Sequence, residues 1–203
     1  RALVIAPATL RDGPWAYFLA NHQFGVECIS FQDLLRDPQL VDDLDVRGER
    51  SLKFNINEYQ LIIVDEAHAF RRGTTQQSDA LRRLLAGEGE RPKDLVLATA
   101  TPVNNSLWDL YNLLGYFIKQ DAAFASSGIP SLRRHFATAM ALDPDDLTPD
   151  HLFDVLDATS VRRTRPFIKK NYADAKFRDS DGIERPITFP ESQAVSYTHL
   201  TLP

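Results

Sequence analysis

The sequence predicts an α/β fold built on a mostly parallel sheet. Three continuous apolar runs, ALVIA at 2–6, LIIV at 61–64 and LVLATA at 95–100, suit strands that are covered on both faces. VECISF at 26–31 is a weaker fourth strand. Helical patterns lie between these runs, and strands that alternate with helices are typical of a parallel sheet. A helical segment follows the last strand.

Two helices are predicted between the strands. PWAYFLANH at 14–22 has a helical apolar pattern, and so does SDALRRLLAG at 78–87. In the second of these, Ser78 is placed as an N-cap and Gly87 as the residue that stops the helix.

The later part of the chain is predicted to be helical. In NSLWDLYNLLGYFI at 105–118, apolar residues recur at spacings of three and four and form one helical face. Ser106 or Asn105 is expected to cap this helix. A further helix is expected to begin at Thr148 and Pro149, a cap followed by proline at the first helical position.

Length and composition limit the class of protein. The chain has 203 residues, 43% of them hydrophobic, which is enough for one globular core. No apolar run approaches the roughly 18 residues of a membrane span, and the start carries no signal-peptide pattern, so no membrane partner is expected. The single cysteine, Cys28, excludes an internal disulfide and a multi-cysteine zinc site, and is predicted to be a buried structural thiol. We expect a cytoplasmic protein, associated with the nucleoid in a bacterium.

Charge is unevenly distributed along the chain. The net charge is −5, but residues 161–178 hold seven Lys or Arg and one Asp, a local net charge of +6. Phe167, Tyr172 and Phe177 are interleaved with these cations, a pattern that can meet phosphate groups. A solvated charged helix or linker explains the same pattern, and composition alone favours that interpretation.

Polar residues follow three of the predicted strands. ALVIA is followed by Pro7, Ala8 and Thr9, LIIV by Asp65, Glu66, Ala67 and His68, and LVLATA by Thr101 to Asn105. Ligands of open parallel sheets bind beyond the carboxyl ends of the strands. We therefore expect the functional site at this edge of the sheet.

The adjacent carboxylates of Asp65 and Glu66 need a cation or a proton to relieve their repulsion. A magnesium ion that carries a nucleotide suits them, because Mg²⁺ keeps most of its waters and takes one or two protein carboxylates. Asp65 would hold the ion through its water shell, and Glu66 would orient and deprotonate the attacking water. Alternatively, one of the two simply caps the next helix. The four residues 65–68 alone do not decide between these interpretations.

Four stretches in order carry a family resemblance. LIIVDEAHAFRR resembles motif II of superfamily 2 helicases and translocases, and LATATPVNNSLWDLYNLLGYF is similar to motif III in its SWI/SNF form. ALVIAPATLRDGPW resembles motif Ia. VRRTR resembles the Leu-Arg-Arg-Thr-Lys block that closes the first motor lobe, with Val161 and Arg165 as mild departures. Together these motifs cover residues 2 to 165.

The resemblance implies an ATP-dependent translocase that moves along double-stranded DNA, with Mg²⁺ and ATP between two RecA-like lobes. This chain would then be a RecA-like P-loop NTPase lobe with a mostly parallel sheet. By the same resemblance, Asp65 is similar to the magnesium ligand and Glu66 to the catalytic base. His68 is similar to the residue that couples the nucleotide site to motif III, with Thr99 and Thr101 as its partners.

Contacts to DNA are implied for two other segments. Ala8 and Thr9 resemble residues of motif Ia that contact the DNA backbone, which sets register and not sequence preference. The three arginines of VRRTR either extend the DNA track or pin the hinge between lobes, and both roles stay open: Arg162, Arg163 and Arg165. Trp15 and Trp108 are interpreted as packing residues.

The domain organisation follows from the resemblance. Residues 1–118 are predicted to be a partial RecA-like lobe, 119–178 its helical extension and basic linker, and 179–194 the start of the segment between lobes. Residues 195–203, VSYTHLTLP, resemble the read-through of a sequencing adaptor and are expected to be non-native. The chain is therefore expected to be an internal piece of a longer protein.

The 203 residues contain no glycine-rich phosphate loop that ends in Lys-Ser or Lys-Thr. In the family that loop and its strand precede motif Ia, and the second lobe with its arginine finger follows. We expect residues 1–194 alone to hydrolyse no ATP, because an arginine finger alone contributes about 10³–10⁵ in rate. The lost strand would also leave an unpaired sheet edge.

Other functions remain open from the sequence. An RNA helicase or a restriction-type translocase subunit would share motif II, although the motif III string argues against an RNA helicase. A non-catalytic module that binds nucleic acid or protein is a second alternative. A metal hydrolase that uses Glu66 and His68 is disfavoured, because a second histidine at metal-ligand spacing is absent.

Overall fold

The computed structural model describes residues 1–41, 51–87, 92–103, 106–142, 149–161, 176–178 and 183–186. The chain divides into two compact units, Arg1–His151 and Leu152–Pro203.

The first unit is built on a four-stranded sheet in which every strand pair is parallel. Its strands are β1 (Ala2–Ala6), β2 (Glu27–Ser30), β3 (Leu61–Val64) and β4 (Asp94–Leu97), in the spatial order β2-β1-β3-β4. The register places Leu3 opposite Ile62. The predicted α/β fold with a parallel sheet is confirmed, and all four predicted strands are present.

The helical elements of the first unit alternate with the strands and then follow them. The α-helices are α1 (Ala8–Leu10), α2 (Ala16–Asn21), α3 (Phe31–Leu34), α4 (Gln76–Ala86), α5 (Leu107–Leu114) and α6 (Leu132–Met140). A π-helical turn, Arg11–Trp15, joins α1 to α2. Short 3-10 turns lie at Ile56–Glu58, Ala67–Phe70 and Ala125–Ser127.

The central strands form the core. Leu3 to Ala6 of β1 are at most 1% exposed, as expected for a strand covered on both faces. Packed against the sheet are Phe31 of α3, Phe70 and the inner face of α4. By contrast β4 is at the edge of the sheet and its Val96 is 49% exposed. Within the described part of the chain, the outer edge of β4 has no neighbouring strand.

The last strand is shorter than predicted. The sequence run extends to Ala100, but β4 ends at Leu97. The Ala98 N–H still bonds to Val64 O, while Ala98 O accepts the Ala67 N–H at 2.9 Å. The chain leaves the ladder here because its backbone turns to meet the segment that follows β3.

The N-terminal boundary of α4 corrects the sequence analysis, and its C-terminal boundary confirms it. Thr75, and not Ser78, caps α4, since the Thr75 hydroxyl accepts the Ser78 N–H at 3.2 Å. Ser78 lies inside the helix, where it is buried and its hydroxyl donates to Arg72 O. Gly87 ends the helix as predicted, with φ +48°, a conformation that favours glycine.

The helices predicted over 105–118 and 14–22 are confirmed only in part. Ser106 caps α5 as predicted by accepting the Trp108 N–H at 3.1 Å. The helix ends at Leu114 and not at Ile118, because i→i+3 bonds tighten the chain after Gly115. The segment predicted as one helix over 14–22 is divided between the π turn and α2.

The second unit is small. Its described helix is α7 (Phe153–Thr159), and Leu152, at φ −121°, is the N-cap residue. The α-helix therefore begins later than predicted, because residues Pro149–Leu152 form a 3-10 turn. Two short strands, β5 (Lys176–Arg178) and β6 (Glu184–Pro186), form an antiparallel pair. None of the helices in the described ranges has the length and apolarity to span a lipid bilayer.

Candidate active site

The central strand β3 carries two acidic residues to the carboxyl edge of the sheet. The Asp65 N–H bonds to Ile5 O at 2.8 Å and so extends the ladder between β1 and β3 by one residue. The chain then leaves the sheet at Glu66. The edge position predicted for this pair from the sequence is thus the one that the backbone gives it.

Two N–H donors hold the carboxylate of Asp65. Its Oδ1 accepts the Glu66 main-chain N–H at 2.9 Å, and its Oδ2 accepts the indole Nε1–H of Trp15 at 2.8 Å. Hydrogen bonds to an ionised acceptor are about twice as strong as neutral ones. The orientation of this carboxylate is therefore fixed from both sides.

The hydrogen bond from Trp15 adds a role that the sequence analysis did not assign. Trp15 also packs edge-to-face on Phe18, with ring centroids 6.1 Å apart, so the predicted packing role is present as well. A half-buried tryptophan usually finds an acceptor for its N–H. This tendency is the sequence signal that could have indicated a hydrogen bond, but the acceptor lies 50 residues away in the chain and could not be identified. Trp108 packs edge-to-face on Tyr111 at 5.0 Å, in agreement with its assignment.

Glu66 has an unusual backbone conformation. Its φ of 50° and ψ of 46° are left-handed, which is uncommon for a residue with a side chain. It occupies the N-cap position of the 3-10 turn Ala67–Phe70, yet its side chain makes no capping hydrogen bond. Glu66 therefore has the position of a helix cap without performing that function. Strained backbone of this kind clusters at functional sites.

The side chain of Glu66 lies beside His68. Glu66 Oε2 is 3.0 Å from His68 Nδ1, and the two side chains are 38% and 36% exposed. The contact is close, but His68 Nδ1 is a buried atom that has no partner with hydrogen-bond geometry among the described residues. The pair is best described as an electrostatic contact. The side chain of Glu66 remains partly exposed to solvent.

Main-chain bonds connect the segment after β3 to the segment after β4. The Ala67 N–H donates to Ala98 O at 2.9 Å. Beyond it, the Thr99 hydroxyl accepts the Thr101 N–H at 3.2 Å and so shapes the turn. Among the described contacts, none joins the His68 ring to either threonine hydroxyl. The coupling role of His68, Thr99 and Thr101 stays a prediction.

One face of α5 holds the turn that follows Glu66. The Tyr116 hydroxyl, just beyond α5, donates to Phe70 O at 3.1 Å, and Asn112 Nδ2 donates to Arg71 O at 2.9 Å. Asp109 Oδ2 lies 3.9 Å from Arg71 Nε. The spacings of three and four place these three side chains on one face. Sequence analysis identified only the apolar face of this helix and assigned no role to the face that carries these polar side chains.

The residues expected to contact DNA are only partly described. Ala8 and Thr9 begin α1 directly after β1, at the same sheet edge as Asp65, and Thr9 is exposed. The three arginines of VRRTR lie outside the described residues: Arg162, Arg163 and Arg165. Asn104 and Asn105 are outside them as well.

The donor set fits a metal that is bound largely through water. Within the described ranges, no cluster of three or more His, Cys, Asp or Glu side chains could hold a metal ion by itself. Mg²⁺ needs only one or two protein carboxylates, with waters and phosphate oxygens as its other ligands. The part-buried, doubly anchored carboxylate of Asp65 meets that requirement.

Comparisons with known proteins agree with this geometry. The sequence profile of the SNF2-related domain family matches residues 18–198. The uncharacterized ATP-dependent helicase YqhH of Bacillus subtilis strain 168 is 26% identical over 144 residues, which are 70% of this chain and 22% of that protein. The chain therefore spans about a fifth of the length of this curated relative.

A solved structure shares the fold. The SWI2/SNF2 ATPase core of Sulfolobus solfataricus, determined in complex with double-stranded DNA, superposes with a TM-score of 0.54 at 20% identity. The match covers 85% of this chain and 34% of that one. This likeness confirms the predicted RecA-like fold. The chain belongs to the SNF2-related domain family, a helicase-like ATPase family of superfamily 2.

Proposed function

We propose that this chain is part of the first RecA-like lobe of an ATP-dependent translocase that moves along double-stranded DNA. Asp65 binds the Mg²⁺ of Mg·ATP through its water shell, and Glu66 takes the proton of the water that attacks the terminal phosphate. His68, Thr99 and Thr101 transmit the state of the nucleotide site. The second RecA-like lobe of the same protein completes the cleft.

The geometry of Asp65 and Glu66 is the observation that carries this proposal. The Asp65 carboxylate is anchored by two N–H donors at 2.8 and 2.9 Å. The Glu66 side chain is 38% exposed and makes no capping hydrogen bond. An anchored acceptor suits a ligand, and a partly exposed carboxylate suits a general base. Helix capping alone would explain neither the left-handed backbone of Glu66 nor the contact of its side chain with His68 instead of with a main-chain N–H.

The position of Ala8 and Thr9 supports a nucleic-acid track beside this site. Both follow β1, which is hydrogen-bonded to β3 along its length, so their segment and Asp65 belong to one rigid edge. The solved relative was determined with duplex DNA, which favours duplex DNA over RNA as the track. The three arginines at 162, 163 and 165 are proposed to add phosphate contacts.

Displacement of a third strand from a DNA triplex tests the proposal in the full-length protein that contains this chain. A duplex translocase displaces the third strand only when Mg·ATP is supplied. Glu66→Gln is expected to abolish displacement, because loss of a general base costs about 10²–10⁴ in rate. The matched control is Glu58→Gln, since Glu58 is 47% exposed and lies at the opposite end of β3.

Each outcome has a definite meaning. Displacement by wild type and Glu58→Gln but not by Glu66→Gln supports a duplex translocase with Glu66 at its centre. Activity that requires RNA would move the protein to the RNA helicases. Wild-type protein that binds DNA but neither hydrolyses ATP nor displaces the strand would be a non-catalytic module.

A further inference from the structure

Trp15 joins the segment after β1 to the carboxylate at the end of β3. Its indole Nε1–H donates to Asp65 Oδ2 at 2.8 Å. An indole nitrogen donates and cannot bind a metal, so Trp15 acts on any bound ion only through Asp65. The bond leaves the further lone pairs of both Asp65 oxygens available, because each accepts one N–H.

A π-helical turn presents Trp15 to the sheet edge. The turn comprises Arg11–Trp15, with Pro14 inside it, and the Ala16 N–H bonds to Arg11 O five residues back. Each residue of an ordinary α-helix advances by about 100° around the axis, so a turn that holds one more residue redirects the side chains that follow. Such turns are rare and frequently lie at functional sites.

The start of this turn is tied to the neighbouring strand and helix. Arg11 Nη1 donates to Asp33 Oδ2 at 2.6 Å, and the same oxygen accepts the Ser30 N–H at 2.7 Å. Ser30 and Asp33 form a capping box at the start of α3. The turn that carries the indole is therefore anchored at its first residue to β2 and α3.

We propose that Trp15 is a positioning residue that holds Asp65 in the orientation that binds Mg²⁺. This inference rests on the proposed function, because it takes Asp65 as the magnesium ligand. Partners that orient a metal-ligating carboxylate affect metal affinity about 10- to 100-fold when they are removed. Through Trp15, the segment that begins with Ala8 and Thr9 is also joined to the metal site by one side chain.

Magnesium-dependent nucleotide binding tests this role without requiring turnover. Binding of a fluorescent, non-hydrolysable ATP analogue to the full-length protein is measured as a function of Mg²⁺ concentration, and again in EDTA. Trp15→Phe keeps an aromatic ring but removes the donor. We expect the Mg²⁺ concentration at half-saturation to rise about tenfold or more, with binding in EDTA unchanged.

Trp108→Phe is the matched control, because Trp108 is an edge-to-face packing residue on Tyr111. It is expected to leave the Mg²⁺ dependence as in wild type. If Trp15→Phe also leaves it unchanged, the inference is wrong. Equal losses with Mg²⁺ and in EDTA would show a purely structural role and would overturn it too.

A second measurement keeps the inference open to refutation should Trp15→Phe fold poorly. The wild-type protein is labelled with 5-fluorotryptophan, and the Trp15 ¹⁹F resonance is assigned by its loss in Trp15→His, which keeps a ring N–H donor at this position. Adding Mg²⁺ to the nucleotide-bound protein should move that resonance, because the charge beside its acceptor changes. A resonance that stays fixed while Mg²⁺ tightens nucleotide binding overturns the inference alone. A wild type without Mg²⁺-dependent binding overturns the proposed function, and the inference falls with it.

Discussion

The hydrogen bond from Tyr116 offers a direct test of how the turn after Glu66 is held. Tyr116 is 2% exposed, and its hydroxyl donates to Phe70 O at 3.1 Å. Tyr116→Phe keeps the ring and leaves a buried carbonyl without that donor. A hydrogen bond contributes about 1 kcal/mol net, and an unpaired buried acceptor costs about 1–3 kcal/mol. We expect the free energy for opening the turn to fall by about 1–2 kcal/mol.

Hydrogen–deuterium exchange in the full-length protein measures this opening. A peptide covering 65–72 contains the Ala69 and Arg71 N–H groups, which bond within the turn at 3.1 and 3.3 Å. A loss of 1–2 kcal/mol corresponds to about a 5- to 30-fold loss of protection. Peptides from β1 should exchange as in wild type, because the substitution removes no contact of that strand.

Tyr111→Phe is the control for this experiment. Tyr111 is on α5, which ends two residues before Tyr116, and its ring packs on Phe136 at a centroid distance of 5.4 Å. Within the described residues its hydroxyl has no assigned partner, so we expect exchange of the 65–72 peptide to be unchanged. Equal exchange in Tyr116→Phe and Tyr111→Phe would refute the role given to the Tyr116 hydroxyl.

Three further predictions concern charge and exposure. Burial raises the pKa of the Cys28 thiol from 9.0 to about 11, so alkylation by iodoacetamide at pH 8, followed by mass spectrometry, should be about 100-fold slower in the native than in the unfolded protein. Because that pKa is raised, the thiol contributes stability below pH 9 that is lost as the pH rises towards 11. In urea unfolding, the free energy of unfolding of Cys28→Ala should therefore fall less than that of wild type over this pH range. Burial raises the pKa of Asp33, but hydrogen bonds from Ser30 and the Arg11 charge outweigh it and hold the pKa below 3.8. The stabilisation by the ionised Asp33 carboxylate is therefore present above that pH and lost below it. Asp33→Asn should reduce the fall in thermal midpoint between pH 5 and pH 3. An unchanged fall would contradict this role of Asp33. Val96 on the open edge strand is 49% exposed, so residues 1–194 alone should self-associate, and Val96→Lys should shift them towards the monomer in size-exclusion chromatography.

The strands were predictable because their signals are local. Continuous Val, Ile and Leu runs such as LIIV have few conformations in which both faces can be buried. Gly87 and Ser106 were predictable for the same reason, since each acts on residues within one turn. The acidic pair was predictable as an edge feature because it directly follows a strand.

The rest depends on contacts between residues that are distant in sequence. The bond between Trp15 and Asp65 spans 50 residues, and the bond between Tyr116 and Phe70 spans 46. Periodicity places side chains on a face but does not identify the partner of a polar group on that face. The left-handed backbone of Glu66 was also hidden, because no glycine or asparagine marks the position. Ser78 was misassigned because Thr75, three residues earlier, is also a preferred cap residue, and residue type alone does not choose between them.

Steady-state ATP hydrolysis by the full-length protein, with and without duplex DNA, tests the central claim most directly. The account predicts strong stimulation by duplex DNA in wild type and in Glu58→Gln, and a loss of about 10²–10⁴ in rate for Glu66→Gln. Hydrolysis by Glu66→Gln at the wild-type, DNA-stimulated rate would contradict it, because Asp65 and Glu66 would then not be the centre of the ATPase.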